Sequence, residues 1–154
     1  MEEVQTTPLN HAMHEAQRRI DKWVSLNDTT AALDLIGLYL TELPELPPNL
    51  KKLLCFNNQL TKLPELPQGL EELRCMHNQL IELPPLPSSL KKLWCNNNQL
   101  TKLPLLPQGL EELYCENNYL QYPPPDVMIS PSLNEIREWM SENPLSFVKS
   151  ATKR

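Results

Sequence analysis

The sequence predicts a solenoid of five stacked coils, on three observations. A twenty-residue unit recurs without an insertion: LKKLLCFNNQLTKLPELPQG, LEELRCMHNQLIELPPLPSS and LKKLWCNNNQLTKLPLLPQG run in succession, and LEELYCENNYLQYPPP starts the pattern again. Apolar positions recur by unit, not with the period of a helix or of a simple alternating strand. Each unit also carries an L-P-x-L-P stretch, whose prolines, three apart, forbid a helix interior. Self-similarity at this period marks a linear repeat array.

The frame L-x-x-L-x-C-x-x-N-x-L is that of the leucine-rich repeat, an α/β repeat class. A degenerate first copy precedes the others, because Leu33, Leu35, Leu40 and Leu43 stand twenty residues before Leu53, Cys55, Leu60 and Leu63. The expected organisation is an N-terminal helical cap over 1–29, five repeats over 30–125, and a C-terminal helical cap and tail over 126–154.

The N-terminal helix starts at Pro8 after Thr7, a favourable first-turn proline. Met13, Ala16, Ile20, Trp23 and Val24 are expected to form its apolar face, and the helix to end near Ser25, before the polar run from Asn27 to Thr30. Within a coil, Leu50, Leu53, Cys55, Leu60, Leu63 and Leu66 point inward. The segment around Lys52 to Cys55 is a strand stacked in parallel on its equivalents, in a right-handed winding, and the residues flanking its buried Leu and Cys face the other way. The proline-bearing return leg follows an extended, polyproline-like path on the convex side. After the repeats, Pro123 to Pro125 break the frame. Ser132 and Glu135 then form a capping box, and Leu133, Ile136 and Met140, with Trp139 alongside, form a second apolar face ending before Pro144. A single coil cannot bury its own apolar side, so stability comes from stacking and both ends need covers.

Two polar patterns interrupt the apolar coil. Asn58, Asn78, Asn98 and Asn118 recur at one inward position, where a buried amide must be hydrogen-bonded and the turn after the strand offers backbone partners. The first repeat has Leu38 there, which fits packing against the N-terminal helix. The second pattern is charge: Lys51-Lys52, Glu71-Glu72, Lys91-Lys92 and Glu111-Glu112 alternate in sign, and so do Glu42, Lys62, Glu82 and Lys102. Stacked in register, these ladders set opposite charges side by side, whereas a slip by one coil opposes like charges throughout.

All four cysteines occupy one inward position, where Cys serves as a small core hydrophobe. Parallel side chains in neighbouring strands disfavour disulfides, and no C-x-x-C spacing points to a metal, so the thiols are expected to be reduced and inert. His11 and His14 stand at helical spacing but lack a third ligand, and no metal or cofactor is expected. No Ser-His-Asp or phosphate-loop constellation is present, and no catalytic residue is assigned. A net charge of −5 with 6% aromatics gives no footprint for nucleic acid. Nothing reads as a secretory signal or a membrane span, and a cytosolic, reducing compartment is expected, of the producing cell or of a host.

Function is expected where the core does not dictate the residue. Between the buried Leu and Cys the concave face reads Asp34, Leu54, Arg74, Trp94, Tyr114, and after the Cys it reads Ile36, Phe56, Met76, Asn96, Glu116. Large apolar and aromatic side chains on a solvent-facing sheet mark a binding surface, because Trp, Tyr, Arg and Met are enriched at interfaces. The candidate binding residues are Leu54, Phe56, Arg74, Met76, His77, Trp94, Asn96 and Tyr114. The face is about 24 Å wide and about 10 Å tall. That is less than the roughly 800 Å² per partner of a standard interface, so a partner must also touch the turn row Asn57, His77, Asn97, Asn117 or a cap helix.

The segment AALDLIGLYLTELPELPPNLKKL and the uniform LPELP-type repeat resemble the leucine-rich-repeat region of type III secretion effectors of the YopM and IpaH kind, over roughly residues 8 to 125. Similar short Cys-containing repeats occur in other bacterial and giant-virus proteins. The resemblance implies a helical N-terminal cap, which matches the segment before Asp28, and a host-interaction role. IpaH-type members add a ubiquitin-ligase domain with a catalytic Cys. The residues after these repeats contain no Cys, so that activity is not carried over. The reading is a non-enzymatic, monomeric protein-binding scaffold for an unidentified protein, a host protein if the chain is an effector, with no nucleic acid or membrane as partner. The alternatives are a fragment or a targeting or regulatory region of a leucine-rich-repeat ubiquitin-ligase-type effector, and a small-ligand or glycan binder.

Overall fold

A computed structural model describes residues 7–120 and 132–143; the proline triplet and the stop at Pro144 lie outside the described residues. Helix α1 spans Pro8–Leu26, followed by five strands, β1 Leu33–Asp34, β2 Lys52–Leu54, β3 Glu72–Arg74, β4 Lys92–Trp94 and β5 Glu112–Tyr114, and then helix α2, Leu133–Glu142. The strands form one parallel sheet in chain order.

Register follows from the twenty-residue unit. Leu33, Leu53, Leu73, Leu93 and Leu113 stand side by side across the sheet. Leu53, Leu60, Leu70, Leu73, Leu80, Leu90, Leu93 and Leu100 are fully buried, so each coil contributes the same layer to one continuous core. After β2 to β5, Asn57, His77, Asn97 and Asn117 take φ of 55°, 53°, 55° and 54°, the left-handed conformation that Asn tolerates better than most side chains.

The inward asparagines join coil to coil. Asn78 Oδ1 accepts from the Leu60 N–H at 3.0 Å, and its amide nitrogen donates to the carbonyls of Cys55 at 3.0 Å and Cys75 at 3.1 Å. Asn98 and Asn118 repeat the arrangement one and two coils on. Asn58 does more: its Oδ1 accepts from both Leu38 and Leu40 N–H at 3.0 Å. Leu38 packs against the core cluster, in keeping with an apolar neighbour there.

The four cysteines are free and buried. Burial pushes the Cys55 thiol up to about 12 and Cys115, at the less covered end, up to about 11; Cys75 and Cys95 are also raised well above the usual thiol value, chiefly by burial. Since the thiolate is the nucleophile, native Cys55 at pH 8 is expected to react with iodoacetamide at least about 1,000-fold more slowly than in urea. Cys115 should label first. Peptide mass spectrometry over a time course reads this directly, and labelling of Cys75 ahead of Cys115 would mean that the inner coils open before the end does.

At the N-terminal end, Thr7 caps α1 by accepting from the Asn10 N–H at 3.4 Å, and Asn27, with φ 52°, terminates it. The buried stripe is Ala12, Ala16, Ile20 and Trp23, with Met13 at its margin. Val24, expected on this face, is 53% exposed: one residue past Trp23 is about 100° further round the helix, which carries it off the stripe. The Trp23 indole N–H donates to the Ala31 carbonyl at 3.0 Å, and Arg19 reaches the Asp34 carbonyl at 3.2 Å, fixing the helix against β1.

At the C-terminal end, helix α2 covers part of the last coil. Helix α2 has its capping box, with Glu135 N–H donating to Ser132 Oγ at 3.3 Å and Ser132 N–H to Glu135 Oε2 at 2.6 Å, and it buries Ile136 and Met140. Its Arg137 donates to the carbonyls of Pro107, Gln108 and Leu110 at 2.9, 3.1 and 3.2 Å. In the stack, Ser89 makes the corresponding bonds, at 2.9 Å to Gln68 O and 2.6 Å to Leu70 O. The helix therefore sits on the return side of the coil, where those turn carbonyls lie. It does not seal the whole end: among the described residues Leu113 and Leu120 stay half-buried, whereas their counterparts Leu93 and Leu100 are fully buried.

The charge ladder closes on one side only. Lys92 pairs with Glu112 at 2.8 Å across adjacent strands, and Lys51 with Glu71 at 3.6 Å across adjacent coils. On the other ladder, Glu42, Lys62, Glu82 and Lys102 make no ion pair among the described residues, so their alternation acts at longer range or not at all.

Candidate partner-binding face

Besides the charged row Lys52, Glu72, Lys92 and Glu112, the outer face of the sheet carries two further rows of side chains. Register places Asp34, Leu54, Arg74, Trp94 and Tyr114 side by side in the first row. Ile36, Phe56, Met76, Asn96 and Glu116 follow two residues later in each coil, and all but Glu116 are half-buried.

Three residues of the first row form one stack. The Arg74 guanidinium carbon lies 4.2 Å from the centre of the Trp94 ring, a cation–π distance, and the Tyr114 ring meets Trp94 edge-on at 5.0 Å and 72°. Two carboxylates hold the stack. Glu72 Oε1 accepts from Arg74 Nε at 2.6 Å, and Glu112 Oε2 accepts from the Trp94 indole N–H at 3.4 Å while its other oxygen binds Lys92 at 2.8 Å. Lys92, and to a smaller degree Trp94, keeps the Glu112 carboxyl below its ordinary value, and Glu112 in turn raises Lys92. A surface with its rotamers already set loses less entropy when a partner lands on it.

The expected site residues thus divide into three groups. Arg74, Trp94 and Tyr114 are in mutual contact, with Leu54 next in the row. Phe56, Met76 and Asn96 lie in the second row. His77 stands apart, an exposed turn residue at φ 53°. Glu72, Glu112 and Lys92 were not among the expected site residues; their signal in the sequence is the alternating charge ladder, which reads as a register device and conceals their second role.

Parallel strands in chain order, inward Leu and Cys at each coil, and the asparagine ladder make this chain a leucine-rich-repeat solenoid. The family described as leucine-rich repeats (2 copies) matches residues 48–88. Among solved structures, the chain is similar to YopM from Yersinia enterocolitica, at 42% identity and TM-score 0.67 over 70% of this chain and 24% of that one. It is also similar to YopM from Yersinia pestis, described as a leucine-rich effector protein, at 38% identity and TM-score 0.65 over 74% of this chain and 33% of that one. A Shigella effector leucine-rich-repeat domain matches at 34% identity and TM-score 0.60 over 79% of this chain and 60% of that one. The chain therefore spans less than two thirds of each of these relatives. No curated protein matches it. Among the described residues no helix is long and apolar enough to cross a membrane, and no group of three or more His, Cys, Asp or Glu is placed to hold a metal ion.

Proposed function

We propose that the chain is a non-catalytic protein-binding module that receives its partner on the outer face of the sheet, and that the partner is a host protein met in a host-cell cytoplasm, as the effector relatives suggest. The observation that carries this reading is the Arg74–Trp94–Tyr114 stack, braced by Glu72 and Glu112, on a face that the core does not require to be apolar. Leu54, Phe56, Met76 and Asn96 extend the same surface, and His77, in the turn row, stands outside it.

The test is recovery of bound protein from host-cell lysate by three versions of the full chain at matched circular dichroism. Loss of a hot-spot aromatic costs at least about 2 kcal/mol, so Trp94→Ala with Tyr114→Ala should abolish recovery of a partner that wild type retains. Lys62→Ala with Lys102→Ala, on the other charge ladder, should leave it intact. Retention by the aromatic variant with loss in the lysine variant would put the site on the opposite side of the coil.

A further inference from the structure

The sheet face is polarised along the stack. Its second row starts apolar, with Ile36, Phe56 and Met76, passes through Asn96, and ends on the exposed Glu116. The fifth coil, over 110–120, holds Glu111, Glu112 and Glu116 and no Lys or Arg. Glu112 is answered by Lys92, but neither Glu111 nor Glu116 is in an ion pair among the described residues. The other charges along these rows are met internally: Arg74 by Glu72 at 2.6 Å, Asp34 by Arg19 at 3.4 Å. Lys52 is in no ion pair among the described residues, but it lies four residues before the second row, about 13 Å away at the usual rise per residue. One end of this row therefore carries an unanswered negative charge, and the other end is apolar.

Resting on the reading of this face as the binding surface, we propose that its occupant is an extended peptide segment lying along the stack, apolar at one end and basic at the other. Spacing sets the pattern. Successive coils are about 4.8 Å apart, so Glu116 lies about 14 Å from Phe56 and Met76 about 5 Å from it. An extended chain places residues i, i+2 and i+4 on one side at about 6.7 Å intervals, reaching about 13 Å. An apolar residue then sits over Phe56, a second over Met76, and a Lys or Arg faces Glu116: apolar-x-apolar-x-basic, or the same order reversed. The face is about as tall as a helix is wide, roughly 10 Å, and a helix would need about nine residues to cover the same span, which gives a different spacing to look for.

The probe is a library of phage-displayed random twelve-residue peptides, selected on the full-length chain as wild type, Glu116→Lys, Glu116→Gln and Trp94→Ala/Tyr114→Ala. Wild type should enrich the apolar-x-apolar-x-basic pattern in one of its two directions. Glu116→Lys should weaken the selected peptides at least tenfold and enrich an acidic residue at the last position; Glu116→Gln should lose the basic preference without gaining an acidic one. Glu116 is exposed, so neither change disturbs the core. Enrichment of neutral or acidic peptides, or of a helical spacing, that is still lost in the aromatic variant would overturn the proposed occupant and leave the binding face standing. Enrichment that survives in the aromatic variant, or no enrichment at all, would overturn both.

Discussion

Asn58→Ala is expected to destabilise the protein by about 4 kcal/mol, more than the same change at any other rung of the asparagine ladder. Two buried or half-buried N–H groups, of Leu38 and Leu40, lose their acceptor, and the Leu35 carbonyl loses the amide that donates to it at 2.8 Å. At Asn78 the loss is smaller. Only the Leu60 N–H is orphaned, because the Cys55 carbonyl keeps Asn58 and the Cys75 carbonyl keeps Asn98. One orphaned donor with its lost bonds costs about 1 to 3 kcal/mol. Asn118 is only partly buried, so water can replace it and the cost should be least. Urea unfolding followed by circular dichroism gives the order Asn58, Asn78, Asn118. Equal losses at all three would mean that the ladder is satisfied by water and that its register with the backbone is incidental.

Ile136→Asp should cost about 3 to 5 kcal/mol, since it puts a carboxylate in place of an apolar side chain that is only 3% exposed. The wider consequence is loss of the cover on the return leg: Leu106 and Leu110 would be bared beside the exposed Leu105, and the protein should associate on standing. Arg137→Ala removes three bonds to turn carbonyls but no apolar burial, so it should lower the melting temperature without aggregation. Calorimetry with light scattering separates the two effects. An unchanged melting profile for Ile136→Asp would show that α2 is not part of the folding unit.

The stack was legible in the sequence because one period governs it: a residue's place in the unit determines its strand neighbour, which is why Trp94 beside Tyr114 and Arg74 could be read from spacing alone. What the period does not govern was harder to read. Val24 falls outside the buried stripe of α1 because one helical step separates it from Trp23, and composition cannot resolve a step of that size. The docking of α2 on the return leg depends on Arg137 reaching backbone carbonyls about thirty positions earlier, a contact that no local pattern announces. Glu72 was read as a partner for the neighbouring strand; it turns instead to Arg74 two residues along its own strand, because the guanidinium over Trp94 brings the nearer cation.

The asparagine ladder also gives the fold a direction in time. Each amide oxygen satisfies the coil before its own: Asn58 closes Leu40, Asn78 closes Leu60, Asn98 closes Leu80 and Asn118 closes Leu100. A chain emerging from the ribosome N-terminus first therefore completes every coil one coil late. At about 5 to 20 residues per second, a twenty-residue delay is about 1 to 4 s. Through synthesis the newest coil therefore lacks the asparagine that bonds its turn until the next coil has been made.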